Sequence, residues 1–394
     1  MGPCPNNTPL LFLIALFVSF HPADGKTLYV KTDGNPAGDG LSWETAFDTV
    51  SGAIAASASG DQIWVASGTY NESSELNEGL SLFGGFKGME EDQDFNSRDW
   101  KLNKSIIDAT GQHSAVIEGA SYSTIDGFTI SNGANPNVSL SGGGIRLLMV
   151  ESMEIRNCLI MGNRATPGPP NEFRGRGGGI DVVGSRLKIK NCNISKNIAR
   201  SGGGISIFNS VVDIENCLIE KNLTGGGIYF GDVVLRFRNC TFGIGNQSQF
   251  GSDVADLYTD SCQNQIVMRN SIVRKSNLFP CPIPTHRLIF NSNLPNTSGN
   301  GNIDADPLWM DPANGDYRLR INSPCIDAGT DTGLSTDFNG NPMPIDVVGV
   351  GIDGPSAHDM GAFEFQLSPA DLDSNGYVNG QDLLLFQDQW QEGE

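Results

Sequence analysis

Basic residues are scarce in this chain: 25 Lys+Arg stand against 45 Asp+Glu over 394 residues, a formal net charge of −20. Binding a phosphate backbone needs a cationic footprint, so the shortage argues against nucleic acid as a partner. It also disfavours acidic polysaccharide unless a cation or a local basic patch mediates the contact. Histidine is scarcer still. His21, His113, His286 and His358 are scattered, and no nucleophile elbow, phosphate loop or metal-protease helix accompanies them. Long apolar runs are missing apart from residues 10–20, LLFLIALFVSF. That run is too short to span a bilayer comfortably. With Ala23-Asp24-Gly25 behind it, the run reads as a secretory signal peptide over residues 1–25. The expectation is an exported protein, secreted or at the cell surface, with no transmembrane span.

What the chain has in quantity is glycine, 49 residues, and the glycines are organised. Between residues 142 and 246 one pattern is written four times. Each copy opens on three glycines (142–144, 177–179, 202–204, 225–227) and reaches an Asn-Cys pair at Asn157-Cys158, Asn191-Cys192, Asn216-Cys217 and Asn239-Cys240. An apolar residue follows two places on (Ile160, Ile194, Ile219, Phe242), and Asn163, Asn197, Asn222 or Asn246 closes the copy. Repetition on this scale without helical spacing predicts a β-solenoid. Apolar residues at i, i+2 flank each landmark, as in Leu187/Ile189 before the cysteine and Ile180/Val182 after the glycines, so they share one inward face. The closing asparagines are expected to hold the left-handed turn that ends a strand. In this register Phe128 takes the cysteine position one coil earlier, and Ser271 takes it one coil later.

The eight cysteines of an exported chain raise the question of disulfides. Cys158, Cys192, Cys217 and Cys240 share one register and would stack on successive rungs, about 4.8 Å apart. A linear stack without C-x-x-C spacing fits buried thiols packed as small hydrophobes rather than a tetrahedral zinc site. Cys262 and Cys281 are the better disulfide candidates.

These repeats resemble the right-handed parallel β-helix of the pectin-lyase-like superfamily over roughly residues 27–365. The resemblance implies an all-β solenoid and leaves activity open. Ser42 precedes Trp43, Ala46, Phe47, Val50, Ala53 and Ile54 at helical spacing, which predicts one capping helix with Ser42 at its N-cap. The order strand, S-W-x-T-A-F helix, D-x-I-x-V-A-x-G-x-Y resembles the opening of exported bacterial β-helix proteins. The motifs Ser323-Pro324-Cys325-Ile326-Asp327-Ala328-Gly329 and Asp359-Met360-Gly361-Ala362-Phe363-Glu364 resemble the closing segment of bacterial surface β-helix proteins. In that family a basic residue usually follows the Asp-x-x-Gly turn; here Asp337-Phe338-Asn339-Gly340 leads to Pro342 and Met343. The expected layout is signal peptide 1–25, strand-helix-strand cap 26–80, coils 81–304, final coils and C-terminal cap 305–366, and a calcium loop with its helix at 367–394.

Three constellations could carry chemistry. Asp371, Asp373, Asn375, Asn379 and Asp382 place side-chain oxygens at positions 1, 3, 5, 9 and 12 of a loop, with Gly376 at 6 and the Tyr377 carbonyl at 7. This spacing wraps hard oxygen ligands around one Ca2+. It resembles a dockerin loop, which implies a cohesin-type partner, although dockerins carry two such repeats and one is present here. Residues 142–200 hold ten Lys/Arg and four Asp/Glu, and contain the insertion between Arg164 and Arg176. The superfamily resemblance makes Arg174, Arg176 and Lys188 candidates for a uronate-binding lyase in which Ca2+ polarises the substrate carboxylate. Against this, stacking by register gives the outward column Glu154, Lys188, Asp213, Arg236. Its alternating signs, and the neighbouring column Arg156, Lys190, Glu215, Arg238, are expected of ion pairs between rungs. For hydrolysis, Asp108, Asp126, Asp181 and Asp213 are available, without an Asp-Asp pair. Two functions stay open, an exported polysaccharide lyase and a non-catalytic surface or glycan-binding protein. Extracellular polysaccharide is common to both.

Overall fold

The computed structural model describes residues 25–90, 94–135, 142–165, 175–247, 256–259, 261, 263–274, 276–277, 287–354, 356–368, 370, 372 and 380–392. The signal-peptide reading, Cys262, Cys281 and most of the calcium loop lie outside them. Successive turns of chain lay parallel strands onto three long sheets of a right-handed parallel β-helix, with a short fourth (Arg164–Ala165, Ile198–Ala199 and Leu223–Thr224) between the second and the third in chain order. Sheet A runs from Thr27–Val30 to Arg287–Phe290, sheet B from Gly68–Tyr70 to Thr241–Phe242, and sheet C from Ser74–Glu75 to Ser276–Asn277. Each coil adds one strand to A, then B, then C, and the register pairs repeat with repeat: Ile189 with Ile214, Ile194 with Ile219, Ile180 with Ile205. The inward residues of all three sheets merge into one core.

Both landmark residues of the repeat have physical reasons to be there. Asn157, Asn191, Asn216 and Asn239 turn the corner from sheet A to sheet B at φ between 49 and 55°, the left-handed region that asparagine tolerates. The cysteine after each points inward, and all four thiols are free and buried. Burial pushes the Cys158 and Cys192 thiols well above their ordinary range and Cys240 up to about 12, which keeps them protonated. The column continues with Ser271, whose Oγ accepts from the Cys240 N–H at 3.2 Å.

The closing asparagines differ from expectation. The left-handed residue is the one before them, Gly162, Lys196, Lys221 or Gly245. Asn163, Asn197, Asn222 and Asn246 instead turn inward and form a ladder. Each Nδ2 donates to the next Oδ1 (3.0, 3.1 and 3.1 Å), and the last donates to Asp256 Oδ1 at 2.9 Å. The glycines beyond them sit where coils approach closely. A Cβ on Gly179 would lie 2.6 Å from the Gly204 carbonyl and 2.9 Å from Asn197 Nδ2.

The capping helix is shorter than the apolar stripe predicts. Helix α1 spans Val50–Ala56 with Thr49 as N-cap, while Ser42 caps only a turn by accepting from the Thr45 N–H. Glu72 explains the late start: its two carboxylate oxygens accept from the N–H groups of Val50 and Ser51 at 2.7 and 2.8 Å. An anion fixed at the first turn satisfies donors that the helix leaves open. Val50, Ala53 and Ile54 pack on Leu28 and Val30 at the first coil, while Trp43 and Ala46 join an aromatic cluster with Tyr29, Trp64 and Phe86.

Residues 305–366 do not continue the winding. After an antiparallel pair, Trp309–Asp311 with Asp316–Leu319, the segment runs back as a strap over the outside of sheet B. Trp309, Tyr317, Leu319, Met360 and Phe363 cluster with the outward Leu218 and with Ile272. Along the A–B corner the strap takes up the turn asparagines. Asn216 Nδ2 donates to the Thr336 carbonyl and Asn270 Nδ2 to the Thr330 carbonyl. Lys101, far back along the solenoid, donates to the Asn339 carbonyl.

Candidate functional site

Outward positions of sheet A carry the charge columns, and they are compensated. Glu154 pairs in register with Lys188, Lys188 with Asp213, and Asp213 with Arg236. Arg236 Nη1 lies 3.0 Å from Asp213 Oδ1, and Lys188 Nζ crosses to Glu215 Oε2 at 3.4 Å. Glu215 also takes Arg238, and Asp126 takes both Arg98 and Arg156 at 2.6 Å. Lys188 is therefore a rung-to-rung partner on sheet A, away from the lyase role considered for it. Asp126 and Asp213 are spent the same way.

Sheet C differs. Its outward column runs Glu75, Glu118, Arg146, Asp181, Ser206, Tyr229 and Tyr258, with Phe208 two residues along from Ser206. Charge is concentrated at one end. Arg146 Nε donates to Glu118 Oε2 at 2.6 Å, and Arg176 Nη2 lies 3.6 Å from Asp181 Oδ2. The Arg176 guanidinium also sits 5.3 Å over the Phe208 ring, a cation–π contact that further commits it. Of the three lyase candidates, Arg176 is the one the structure brings to this face; Arg174 lies outside the described residues.

Asp181 is only 2% exposed and Ser206 not at all, and neither Asp181 Oδ1 nor Ser206 Oγ has a hydrogen-bond partner. Two neighbouring buried oxygens left open carry a desolvation cost that folding has not recovered. Burial pushes the Asp181 carboxyl up to about 6, opposed by Arg176 and by the adjacent Ser206 hydroxyl, which stands near it without closing a hydrogen bond of normal geometry, and burial likewise raises Glu118 against Arg146. Beyond them lies an aromatic tier. Phe208 meets Tyr229 edge-on at 5.3 Å, and Tyr229 stacks on Tyr258 at 5.3 Å, with Tyr258 36% exposed. Two connections outside the described residues, 136–141 and 166–174, fall in sequence just before the strands Ile145–Leu148 and Ile180–Val183 of this same sheet.

Of the expected calcium ligands, Asp371, Asp373, Asn375, Tyr377 and Asn379 lie outside the described residues. Asp382 is described. It stands in the first turn of helix α2 (Gly380–Glu392), buried, and its Oδ1 accepts from the Leu372 N–H at 2.8 Å. Among the described residues no three His, Cys, Asp or Glu side chains gather closely enough to hold a metal ion. Nor is any described helix long and apolar enough to cross a membrane.

Sequence reasoning found Asp181 and Arg176 but missed Glu118, Arg146, Ser206, Phe208, Tyr229 and Tyr258 as a set. The signal was available. Arg146, Asp181, Ser206 and Tyr229 each stand between the two inward residues that follow a glycine triplet, so aligning the repeats on their glycines rather than their cysteines yields the column.

A comparison with curated proteins finds no match. Among solved structures, the chain is similar to a pectin methylesterase from carrot (14% identity, 71% of this chain and 86% of that one, TM-score 0.46). It is also similar to the pectate lyase Pel9A (14% identity, 87% and 97%, TM-score 0.39) and to XylC in complex with xylose (10% identity, 86% and 98%, TM-score 0.37). At these values, what those proteins bind is a statement about them alone. Residues 94–272 match the family described as "Right handed beta helix region", and with the stacked parallel sheets this places the chain's fold as a right-handed parallel β-helix.

Proposed function

We propose that this is an exported protein that binds extracellular polysaccharide along the outer face of sheet C, without cleaving it. The observation that carries the reading is the adjacency on that face of the partnerless Asp181 Oδ1 and Ser206 Oγ with the Phe208–Tyr229–Tyr258 tier. Ring edges and faces beside a few placed polar atoms are what a ligand with apolar C–H surfaces and hydroxyl rims requires. Stacked strands repeat such positions at about 4.8 Å, so the site extends along the solenoid axis and suits a polymer. A β-eliminating lyase needs a free base at the substrate. Arg176 is held by Asp181 and Phe208, and Lys188 is held by Glu215 on a different sheet, which favours binding over catalysis.

Affinity electrophoresis in gels cast with a polysaccharide panel tests this. The protein should be retarded in at least one gel, and Tyr258→Ala should restore the mobility seen without polysaccharide. Unchanged mobility in every gel would sink the reading. Steady growth of the ultraviolet absorbance of an unsaturated uronate would replace it with a lyase.

The C-terminal loop is proposed to hold Ca2+ through Asp371, Asp373, Asn375, Asn379 and Asp382 side chains and the Tyr377 carbonyl. Support comes from Asp382, whose bond to the Leu372 N–H draws the two ends of the loop together. Leu383, Leu384 and Phe386 on α2 are more than half exposed, which supports docking of a protein partner of cohesin type. Calorimetry should show one calcium site that Asp371→Ala removes. Absence of heat at millimolar calcium would end the proposal.

A further inference from the structure

We infer that the glycan accepted by sheet C is uncharged: its ligand is a neutral polysaccharide, recognised through hydroxyls and ring faces rather than through uronate carboxylates. This rests on sheet C being the glycan-binding face and adds the class of glycan. Four observations on that face carry it.

The first is charge. Along the outward column and its flank, Glu75, Glu118 and Asp181 stand against Arg146 and Arg176. Both guanidiniums are already engaged, Arg146 by a direct bond to Glu118 and Arg176 by Asp181 and the Phe208 ring. The face thus offers acid in excess within a chain of net charge −20. A polyuronate, with about one negative charge per sugar, would meet repulsion along its whole length.

The second is hydrogen-bonding valence. Asp181 Oδ1 can only accept when ionised, and Ser206 Oγ can donate or accept. A sugar hydroxyl satisfies both at once, donating to the carboxylate and accepting from the serine. A uronate carboxylate placed there has no proton to donate and puts two anions side by side.

Third, these two oxygens are neighbours in register on adjacent strands, so one ligand hydroxyl arriving at either meets both. Fourth, the positions that follow, Tyr229 and Tyr258, are aromatic and uncharged, and stacked at 5.3 Å. The column therefore passes from hydroxyl recognition to ring contact over successive rungs without meeting a free cation among the described residues. A chain of neutral sugars laid along the axis would meet each in turn.

The test is affinity electrophoresis of the full chain with neutral polymers (β-glucan, xylan, mannan, galactan) and with polygalacturonate, in chelator, at low and high ionic strength. The expected result is retardation by a neutral polymer that salt leaves unchanged. Polygalacturonate should be bound at least about tenfold more weakly, a difference near 1.4 kcal/mol. Ser206→Ala and Tyr258→Ala should each weaken the neutral interaction several-fold, and Tyr258→Phe should keep most of it. Circular dichroism would confirm that both variants, at the buried Ser206 and the partly exposed Tyr258, are folded.

Preferential retention by polygalacturonate, abolished by salt and by Arg176→Gln, would overturn the neutral class while leaving sheet C as the glycan face. Neutral binding indifferent to Ser206→Ala and Tyr258→Ala would place the glycan elsewhere and overturn both statements. Retardation by no polymer would remove the glycan reading itself.

Discussion

Sheets B and C are made by the same coils, and their inward residues reach one core, yet their outer faces end differently. On sheet B the strap brings its own partners. The Tyr317 hydroxyl donates to Glu220 Oε2 at 2.9 Å and accepts from the Ile244 N–H at 3.1 Å, and Thr241 Oγ1 accepts from the Ala362 N–H at 2.9 Å. On sheet C, Asp181 Oδ1 and Ser206 Oγ are as deeply buried and make no hydrogen bond of normal geometry, with each other and Arg176 as polar neighbours, and aromatic rings stand partly in solvent beside them. Mismatches are not confined to sheet C, since Asn193 Oδ1 on sheet B and Trp309 Nε1 and Asp327 Oδ1 on the strap are also buried without a partner; what sets sheet C apart is that its open atoms lie beside rings that reach solvent. Open polar atoms beside partly exposed rings are the combination that the proposed ligand would use.

The two faces meet at the inner asparagine ladder, which turns sheet B into the glycine corner of sheet C, and the sharpest way to break the comparison is there. Asn197 makes four bonds. Its Nδ2 donates to the Ile160 carbonyl and Asn222 Oδ1, and its Oδ1 accepts from the N–H and Nδ2 of Asn163. Asn197→Ala removes these and leaves several buried groups open, each costing about 1–3 kcal/mol. A loss on the order of 4 kcal/mol is expected in chemical denaturation, with both faces disturbed together. A loss below about 1 kcal/mol would mean the ladder is decoration.

The next test separates the faces. Tyr317→Ala deletes a ring that packs edge-on against Trp309 at 5.0 Å together with both hydroxyl bonds. Truncating a buried aromatic costs about 3–5 kcal/mol. Since the strap is an addition to a closed core, the loss should appear as release of the strap rather than unwinding of the coils. Limited proteolysis should cut within 305–366 while the core fragment survives and still binds glycan; loss of glycan binding in that fragment would show that the covered face supports the open one. The strap should also loosen as pH rises. Burial raises Asp359 well above its ordinary range and lifts Asp327 and Glu364 to about 7, with the Asp359 and Glu364 carboxylates repelling each other. Such groups add stability below their unfolded values near 4 and lose it as pH climbs through 7. None of the three forms an ion pair with Lys or Arg among the described residues.

How much of this could be read beforehand follows from locality. The coils were legible because period two, the Asn-Cys corner and the glycine triplets are properties of adjacent residues. The rung-to-rung pairing of Lys188 with its neighbours was legible because parallel register follows from repeat alignment. Three things were not. Helix α1 starts late because Glu72, from the coil beneath, holds its N-terminus, and no window around residue 42 contains that carboxylate. The strap's path depends on Tyr317 finding Glu220 across 97 residues, which a repeat pattern cannot encode. The closing asparagines looked like turn residues because asparagine serves both roles; only the third dimension shows the side chain bonding along the axis. As for the site, Asp181 and Arg176 were visible as residue types, but burial without a partner is a property of surroundings.

The smallest expected effect bears directly on the open face. If the Asp181 carboxyl is kept at a cost for a ligand, removing its charge should stabilise the free protein and weaken binding. Its raised pKa, about 6 in the fold against 3.8, sets the sign. Below pH 4 the group is protonated folded or unfolded and costs nothing. Between 4 and 6 the unfolded chain ionises first, and above 6 the folded protein carries the full cost of a buried charge. Asp181→Asn should therefore raise the stability at pH 8 by on the order of 3 kcal/mol, a net figure in which the attraction to Arg176 is already counted against burial. It should change little at pH 3.5. Thermal melts of both proteins at the two pH values read this against the strap's larger slope, which is common to both. A variant destabilised at pH 8 would make Asp181 a structural partner of Arg176, and sheet C would then be a face the chain had finished for itself, as sheet B is.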